Sequence, residues 1–130
     1  MKKKVLVIDD SETNNFLVKA ILEENKDILV FTLSNSKKAI KLIQEINPDL
    51  VILDIMMPDI DGIQILRELN QLKIIHKYNI IVVSAKNNAS IKEEALTLGA
   101  LDYIIKPIGN SNLFEKVENH LIKQTNKSKL

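Results

Sequence analysis

The residues best suited to chemistry in this chain each follow a short apolar run. Asp9 and Asp10 follow Val5–Ile8, Asp54 follows Leu50–Leu53, Ser84 follows Ile80–Val83, and Lys106 follows Tyr103–Ile105. Three carboxylates brought to one place repel one another and raise each other's pKa. A hard dication with oxygen ligands is the natural counter-charge, and Mg²⁺ takes one or two carboxylates while keeping several waters. Lys106 would add a fixed positive charge and Ser84 a hydroxyl donor. A dication, an ammonium and a hydroxyl around one carboxylate form a receptor for a phosphoryl group, because they offset charge on its equatorial oxygens during in-line transfer. A carboxylate nucleophile that forms an aspartyl phosphate is an established covalent route.

These residues meet only if the elements behind them place them together. The four runs are apolar on consecutive residues, which suits strands covered on both faces of a parallel sheet. A fifth run, Ile28–Leu33, reads as an outer strand. Helical spacing fills the gaps. Phe16, Leu17, Ala20 and Ile21 share one face, as do Ala39, Ile40, Ile43 and Ile46; further stripes are Ile63, Leu66 and Leu69, then Ile91, Ala95 and Leu98, then Leu113, Val117 and Leu121. Ser11 is placed to cap the first helix, Asn35 or Ser36 the second, and Asn110 or Ser111 the last. Pro48 stops the second helix, and Gly99 falls where a C-terminal residue of positive φ is expected. The expectation is a (βα)5 α/β fold: a doubly wound, five-stranded parallel sheet with helices on both faces and right-handed crossovers. In such sheets ligands bind beyond the carboxyl ends of the strands, which is where Asp9, Asp10, Asp54, Ser84 and Lys106 fall. If the first and third strands are neighbours, the three carboxylates converge.

Composition bounds what else the chain could do. Its 130 residues, 45% of them hydrophobic, suit one domain with a real core. It has no cysteine, which removes disulfides, thiolate metal sites and thiol chemistry. A net charge of +1 gives no reason to expect nucleic acid as a ligand. Met1-Lys2-Lys3-Lys4 is basic like the start of a signal peptide, but the apolar run behind it is too short for one. No apolar stretch approaches the roughly 20 residues of a membrane span. The reading is a cytoplasmic protein that does not engage a membrane. The last residues, Gln124–Leu130, are polar and unpatterned, a tail or the start of a linker.

Single residues have plainer readings. Asp9-Asp10 alone could be a helix N-terminal acidic pair favoured by the dipole, Ser84 a turn or cap residue, Lys106 a surface lysine, and Tyr103 a half-buried strand aromatic. Met56 and Met57 read as loop packing, Asp59 and Asp61 as turn formers beside Gly62, and His76 and His120 as surface residues.

Taken together the segments are similar to the receiver domain of two-component response regulators, the family of the bacterial chemotaxis receiver. The resemblance runs over about residues 3 to 123. It rests on Val5-Leu6-Val7-Ile8-Asp9-Asp10, on Asp54-Ile55-Met56-Met57-Pro58-Asp59-Ile60-Asp61-Gly62, on Val82-Val83-Ser84-Ala85, on Gly99-Ala100, and on Asp102-Tyr103-Ile104-Ile105-Lys106-Pro107. It implies a flavodoxin-like fold with strand order 2-1-3-4-5, a receiver domain over residues 1–123 and a tail or start of a linker over 124–130. It implies that Asp54 is the phosphoacceptor. Asp10, Asp54 and the backbone carbonyl of Met56 would bind Mg²⁺ directly, and Asp9 mostly through water. Ser84 and Lys106 would each hold a phosphoryl oxygen, Tyr103 would swing inward when Ser84 moves, and the Lys106–Pro107 bond would be cis. Met56 and Lys86, two residues after Asp54 and Ser84, occupy the positions that tune phosphoryl lifetime in this family.

The resemblance implies a signalling switch of a two-component phosphorelay. A sensor histidine kinase or histidine phosphotransfer protein would supply the phosphoryl group from a phosphohistidine. The domain would catalyse only its own phosphorylation and dephosphorylation. The readout would be a changed surface of the fourth helix, fifth strand and fifth helix, presented to a downstream protein, with a phosphorylation-dependent dimer allowed. Three other readings compete. A Mg²⁺-dependent phosphohydrolase would want Asp-x-Asp after the first strand, where this chain has Asp9-Asp10-Ser11. A flavin module would want a Ser/Thr/Gly-rich phosphate loop there, and this loop is acidic. A receiver-like interaction module would carry no phosphate at all.

Overall fold

A computed structural model describes residues 2–85, 88–106 and 113–121. The strands are β1 (Lys3–Ile8), β2 (Ile28–Leu33), β3 (Leu50–Asp54), β4 (Ile80–Ser84) and β5 (Asp102–Ile105). The helices are α1 (Glu12–Leu22), α2 (Ala39–Ile46), α3 (Gly62–Gln71), α4 (Ala89–Leu98) and α5 (113–121). All strand pairs are parallel, in the order β2-β1-β3-β4-β5. This is the flavodoxin-like order expected above.

Alternation along the strands builds two apolar layers. Leu6 and Ile8 of β1, Val51 and Leu53 of β3 and Val82 of β4 pack against Ala39, Ile43, Leu66, Leu69 and Ala95 of α2, α3 and α4. Val5, Val7, Ile52, Ile81 and Val83 pack the other way, against Val18 and Leu22 of α1 and Leu113, Val117 and Leu121 of α5. Both faces of β3 and β4 are therefore covered, which is why their runs carry no polar alternation. Strand β5 differs: Ile105 is exposed, so the last run is not covered on both faces. Among the described residues it is an edge strand, paired with β4.

The helix stripes fall inward as expected for α2 to α5, but not for α1. Phe16 is 71% exposed and Leu17 51%, and the face that α1 buries is Asn15, Val18 and Leu22. Asn15 breaks that stripe in the sequence, so the more continuous apolar face drew the reading outward. The punctuation is in place. Ser11 caps α1 by accepting from the Asn14 N–H, a contact that typically contributes about 1 kcal/mol. Asn35 caps the short 3-10 turn that leads into α2. Asn47, with φ of 50°, ends α2 ahead of Pro48, and Gly99, with φ of 129°, ends α4. The cap positions Asn110 and Ser111 lie outside the described residues. Among the described residues no helix is long and apolar enough to cross a membrane.

Candidate functional site

The chain leaves β1 for β2 on one side and crosses to β3 on the other, so β1 and β3 flank the switch point of the sheet. Ile8 of β1 lies level with Leu53 of β3. The residues that follow, Asp9 and Asp54, therefore stand side by side where the strands end. Carboxylate oxygens of Asp9, Asp10 and Asp54 all lie within 4.8 Å of one another. Asp9 and Asp54 are buried and Asp10 is exposed, so the cluster opens to solvent on one side.

Lys106, one residue past β5, reaches back over the sheet end. Its Nζ lies 3.2 Å from Asp9 Oδ2 and 3.3 Å from Asp54 Oδ2. Its backbone N–H donates to the Ser84 carbonyl at 2.8 Å, so β4 holds the base of the lysine. The Met56 N–H donates to Asp54 Oδ1 at 3.1 Å. Ser84, the last residue of β4, is fully buried. Tyr103 is buried in the layer under α2, α3 and α4.

Asp54 is only 4% exposed. Burial, and then the neighbouring Asp9 carboxylate, push its pKa up to about 6, against the opposing pull of Lys106 and the Met56 amide. Burial pulls the Lys106 pKa down, but Asp54 and Asp9 outweigh it and hold the ammonium above its ordinary value. Among the described residues, three carboxylates with one ammonium leave the cluster short of positive charge. Such a set of close hard oxygens fits a divalent cation of the Mg²⁺ kind.

The loop after β3 is fixed from the other side by α3. Asp61 caps that helix in a reciprocal capping box with Gln64, and Asp59 takes a left-handed φ of 69°. A Cβ on Gly62 would sit 2.5 Å from the Asp54 carbonyl oxygen, so α3 begins in direct contact with the backbone of Asp54. The turn-former reading of Asp59 and Asp61 fits this geometry. Met57 is buried and Met56 exposed at the rim.

The family model for the response regulator receiver domain matches residues 5–118. This chain belongs to the response regulator receiver family. It is 33% identical to the chemotaxis protein CheY of Bacillus subtilis over 93% of this chain and 99% of that one. It is 36% identical to the alkaline phosphatase synthesis transcriptional regulatory protein PhoP of Bacillus subtilis, over 91% of this chain but only 48% of that regulator. Among solved structures it is similar to a CheY-like response regulator receiver domain protein from Methanospirillum hungatei, with a TM-score of 0.87, 25% identity and coverage of 98% and 99% of the two chains. The receiver domain of a Francisella response regulator gives a TM-score of 0.84 and 33% identity, over 94% and 98%. Receiver domains bind Mg²⁺ at their aspartate pocket, and this receiver has an acidic cluster of Asp9, Asp10 and Asp54.

The geometry brings together Asp9, Asp10, Asp54 and Lys106, with Ser84 buried at the end of the neighbouring strand and Tyr103 buried on β5. Pro107 and Lys86 lie outside the described residues, so the cis bond and one of the two lifetime positions have no geometry here. The sequence reading missed two amides. Asn14 Nδ2 lies 3.4 Å from Asp9 Oδ2, and Asn15 Nδ2 donates to the Asp9 carbonyl at 2.9 Å. Their signal was the polar residue inside the buried face of α1. It also misplaced His120, whose side chain is 13% exposed and whose Nε2 lies 3.4 Å from Asp102 Oδ2; its partner is on β5, eighteen residues away. His76 is on the surface as expected.

Proposed function

We propose that this receiver is a phosphorylation-driven switch in which Asp54 takes a phosphoryl group from the phosphohistidine of a sensor histidine kinase or histidine phosphotransfer protein. The observation that carries the reading is the Asp54 carboxylate: buried, wedged against Asp9 and held by Lys106 at 3.3 Å. The Asp54 oxygen forms the new bond to phosphorus as the bond from phosphorus to the histidine nitrogen breaks. Lys106, already poised on Asp54, moves its charge to a phosphoryl oxygen, where the interaction strengthens as negative charge develops. The Ser84 hydroxyl takes another oxygen. The residues that would hold Mg²⁺ are Asp10, Asp54 and the Met56 carbonyl, with Asp9 acting through water; when bound it supplies charge that offsets the phosphoryl oxygens. The domain catalyses its own phosphorylation and dephosphorylation and acts on no other substrate.

The new charge at Asp54 is read at a distance. Moving Ser84 toward the phosphoryl group draws Tyr103 further in, and the surface of α4, β5 and α5 shifts between two states that exist beforehand. Exposed Leu96 on α4 and exposed Leu101 and Ile105 beside and on β5 support the choice of this surface for a downstream protein or for a phosphorylation-dependent dimer. The receiver spans residues 1–123, with 124–130 as tail or linker, and works in the cytoplasm. Beryllofluoride with Mg²⁺ tests the output. Amide resonances of α4, β5 and α5 are expected to shift together with those of the acidic loop. Shifts confined to the loop residues around Asp9 and Asp54 would refute the distal readout.

A further inference from the structure

We infer that Asn14 and Asn15 are positioning residues that hold Asp9 for cation binding, Asn14 through its carboxylate and Asn15 through its carbonyl. The inference rests on the reading that the acidic cluster takes Mg²⁺. Two adjacent residues of α1 turn their amides onto one aspartate: Asn14 Nδ2 faces Asp9 Oδ2 at 3.4 Å, and Asn15 Nδ2 donates to the Asp9 carbonyl at 2.9 Å. The Ser11 N–H donates to the other carboxylate oxygen, Oδ1, at 2.9 Å, and Lys106 Nζ shares Oδ2 with Asn14. Asp9 is therefore oriented from α1 on both its backbone and its side chain.

An independent observation marks Asn15. It is 4% exposed, and its Oδ1 is buried without a hydrogen-bond partner among the described residues. Leaving such an acceptor unpaired is unfavourable. The neighbouring inward positions of the same helix, Val18 and Leu22, are apolar. An amide persists among them at a cost to stability, and among the described residues the hydrogen bond its side chain makes is the donation to Asp9. A residue kept for packing alone would have been apolar too. Groups that orient a metal's ligands typically change affinity by about 10–100-fold when removed.

The test is isothermal titration of the full chain with MgCl₂, beside urea unfolding in metal-free buffer. Asn14→Ala and Asn15→Ala are each expected to weaken Mg²⁺ binding by about tenfold at a temperature where both remain folded. Asn14→Gln, which keeps a donor, should recover part of that loss. Val18→Ala empties the next buried position of the same helix and serves as the control. It should lower the urea midpoint and leave Mg²⁺ affinity within about twofold of the wild-type protein. Should both asparagine variants bind Mg²⁺ as the wild-type protein does, or should Val18→Ala lose as much affinity as Asn15→Ala, the positioning role is overturned while the metal site stands. A wild-type protein that takes up no Mg²⁺ overturns both.

Discussion

Two charge clusters at β1, β3 and β5 differ in how far they are neutralised. At the carboxyl ends of the strands, Asp9, Asp10 and Asp54 share one ammonium among the described residues, that of Lys106. At the start of β5, Asp102 alone has two basic partners, Lys116 at 3.1 Å and His120 at 3.4 Å, both from α5. The acid levels move in opposite directions. Burial and Asp9 push Asp54 up to about 6. Burial also works against the charge on Asp102, but the Tyr103 amide, Lys116 and His120 outweigh it and hold its carboxyl below the ordinary value. A cluster short of positive charge is strained until something cationic arrives, and is suited to a receptor. A cluster with its charge met inside the protein is a clasp, here of α5 onto β5.

Removing the central ligand should give the largest effect. Asp54→Ala is expected to weaken Mg²⁺ binding by about 100-fold or more, since loss of mere orienting groups already costs about 10–100-fold. Calorimetric titration checks it, and equal affinities would equate the two clusters.

The second effect is on stability and has opposite signs at the two sites. The folded pKa of Asp54 lies above its ordinary value of 3.8, so the folded state binds the proton more tightly. Metal-free stability should therefore fall as pH rises from about 4 to about 6, and the whole penalty is present above that. Asp54→Asn should stabilise the metal-free protein by about 1–3 kcal/mol at pH 8 and by much less at pH 4, read by urea unfolding. Excess Mg²⁺ should erase the advantage at pH 8.

At the clasp the sign reverses. Asp102 has a lowered folded pKa, so its contribution is present above pH 3.8 and is lost as pH falls through the folded value. Asp102→Asn is expected to cost about 1 kcal/mol at pH 7, with the difference shrinking on acidification; the partial exposure of Lys116 keeps the figure small. The smallest effect belongs to an ion pair in neither cluster. Lys41–Glu45 on α2 is 3.9 Å apart and largely solvated, so Lys41→Ala should change stability by less than about 0.5 kcal/mol.

The sequence carried most of the fold because apolar periodicity is a local signal. The β3 and β4 runs, the α2 and α3 stripes, and the residues just past each strand could be read without knowing any partner. Two failures share a cause. In α1 the inward position taken by Asn15 is polar for the sake of Asp9, so the apolar count favoured Phe16 and Leu17, which the fold leaves exposed. His120 looked like a surface residue because Asp102, which meets it, lies on another element. The carboxylate cluster was legible as three acids at two strand ends, but its orientation by Ser11, Asn14 and Asn15 was not. Hydrogen bonds to one residue from the next helix leave no spacing of their own.

We propose that Asp54, in a cluster short of positive charge among the described residues, is the acceptor of the phosphoryl group. Intact-protein mass spectrometry after treatment with acetyl phosphate tests it most directly, with and without Mg²⁺, on the wild-type protein and Asp54→Asn. The wild-type protein should gain one phosphoryl mass only when Mg²⁺ is present, and Asp54→Asn should gain none. A wild-type protein left unmodified under all conditions, or an Asp54→Asn protein labelled to the same extent, would contradict the account.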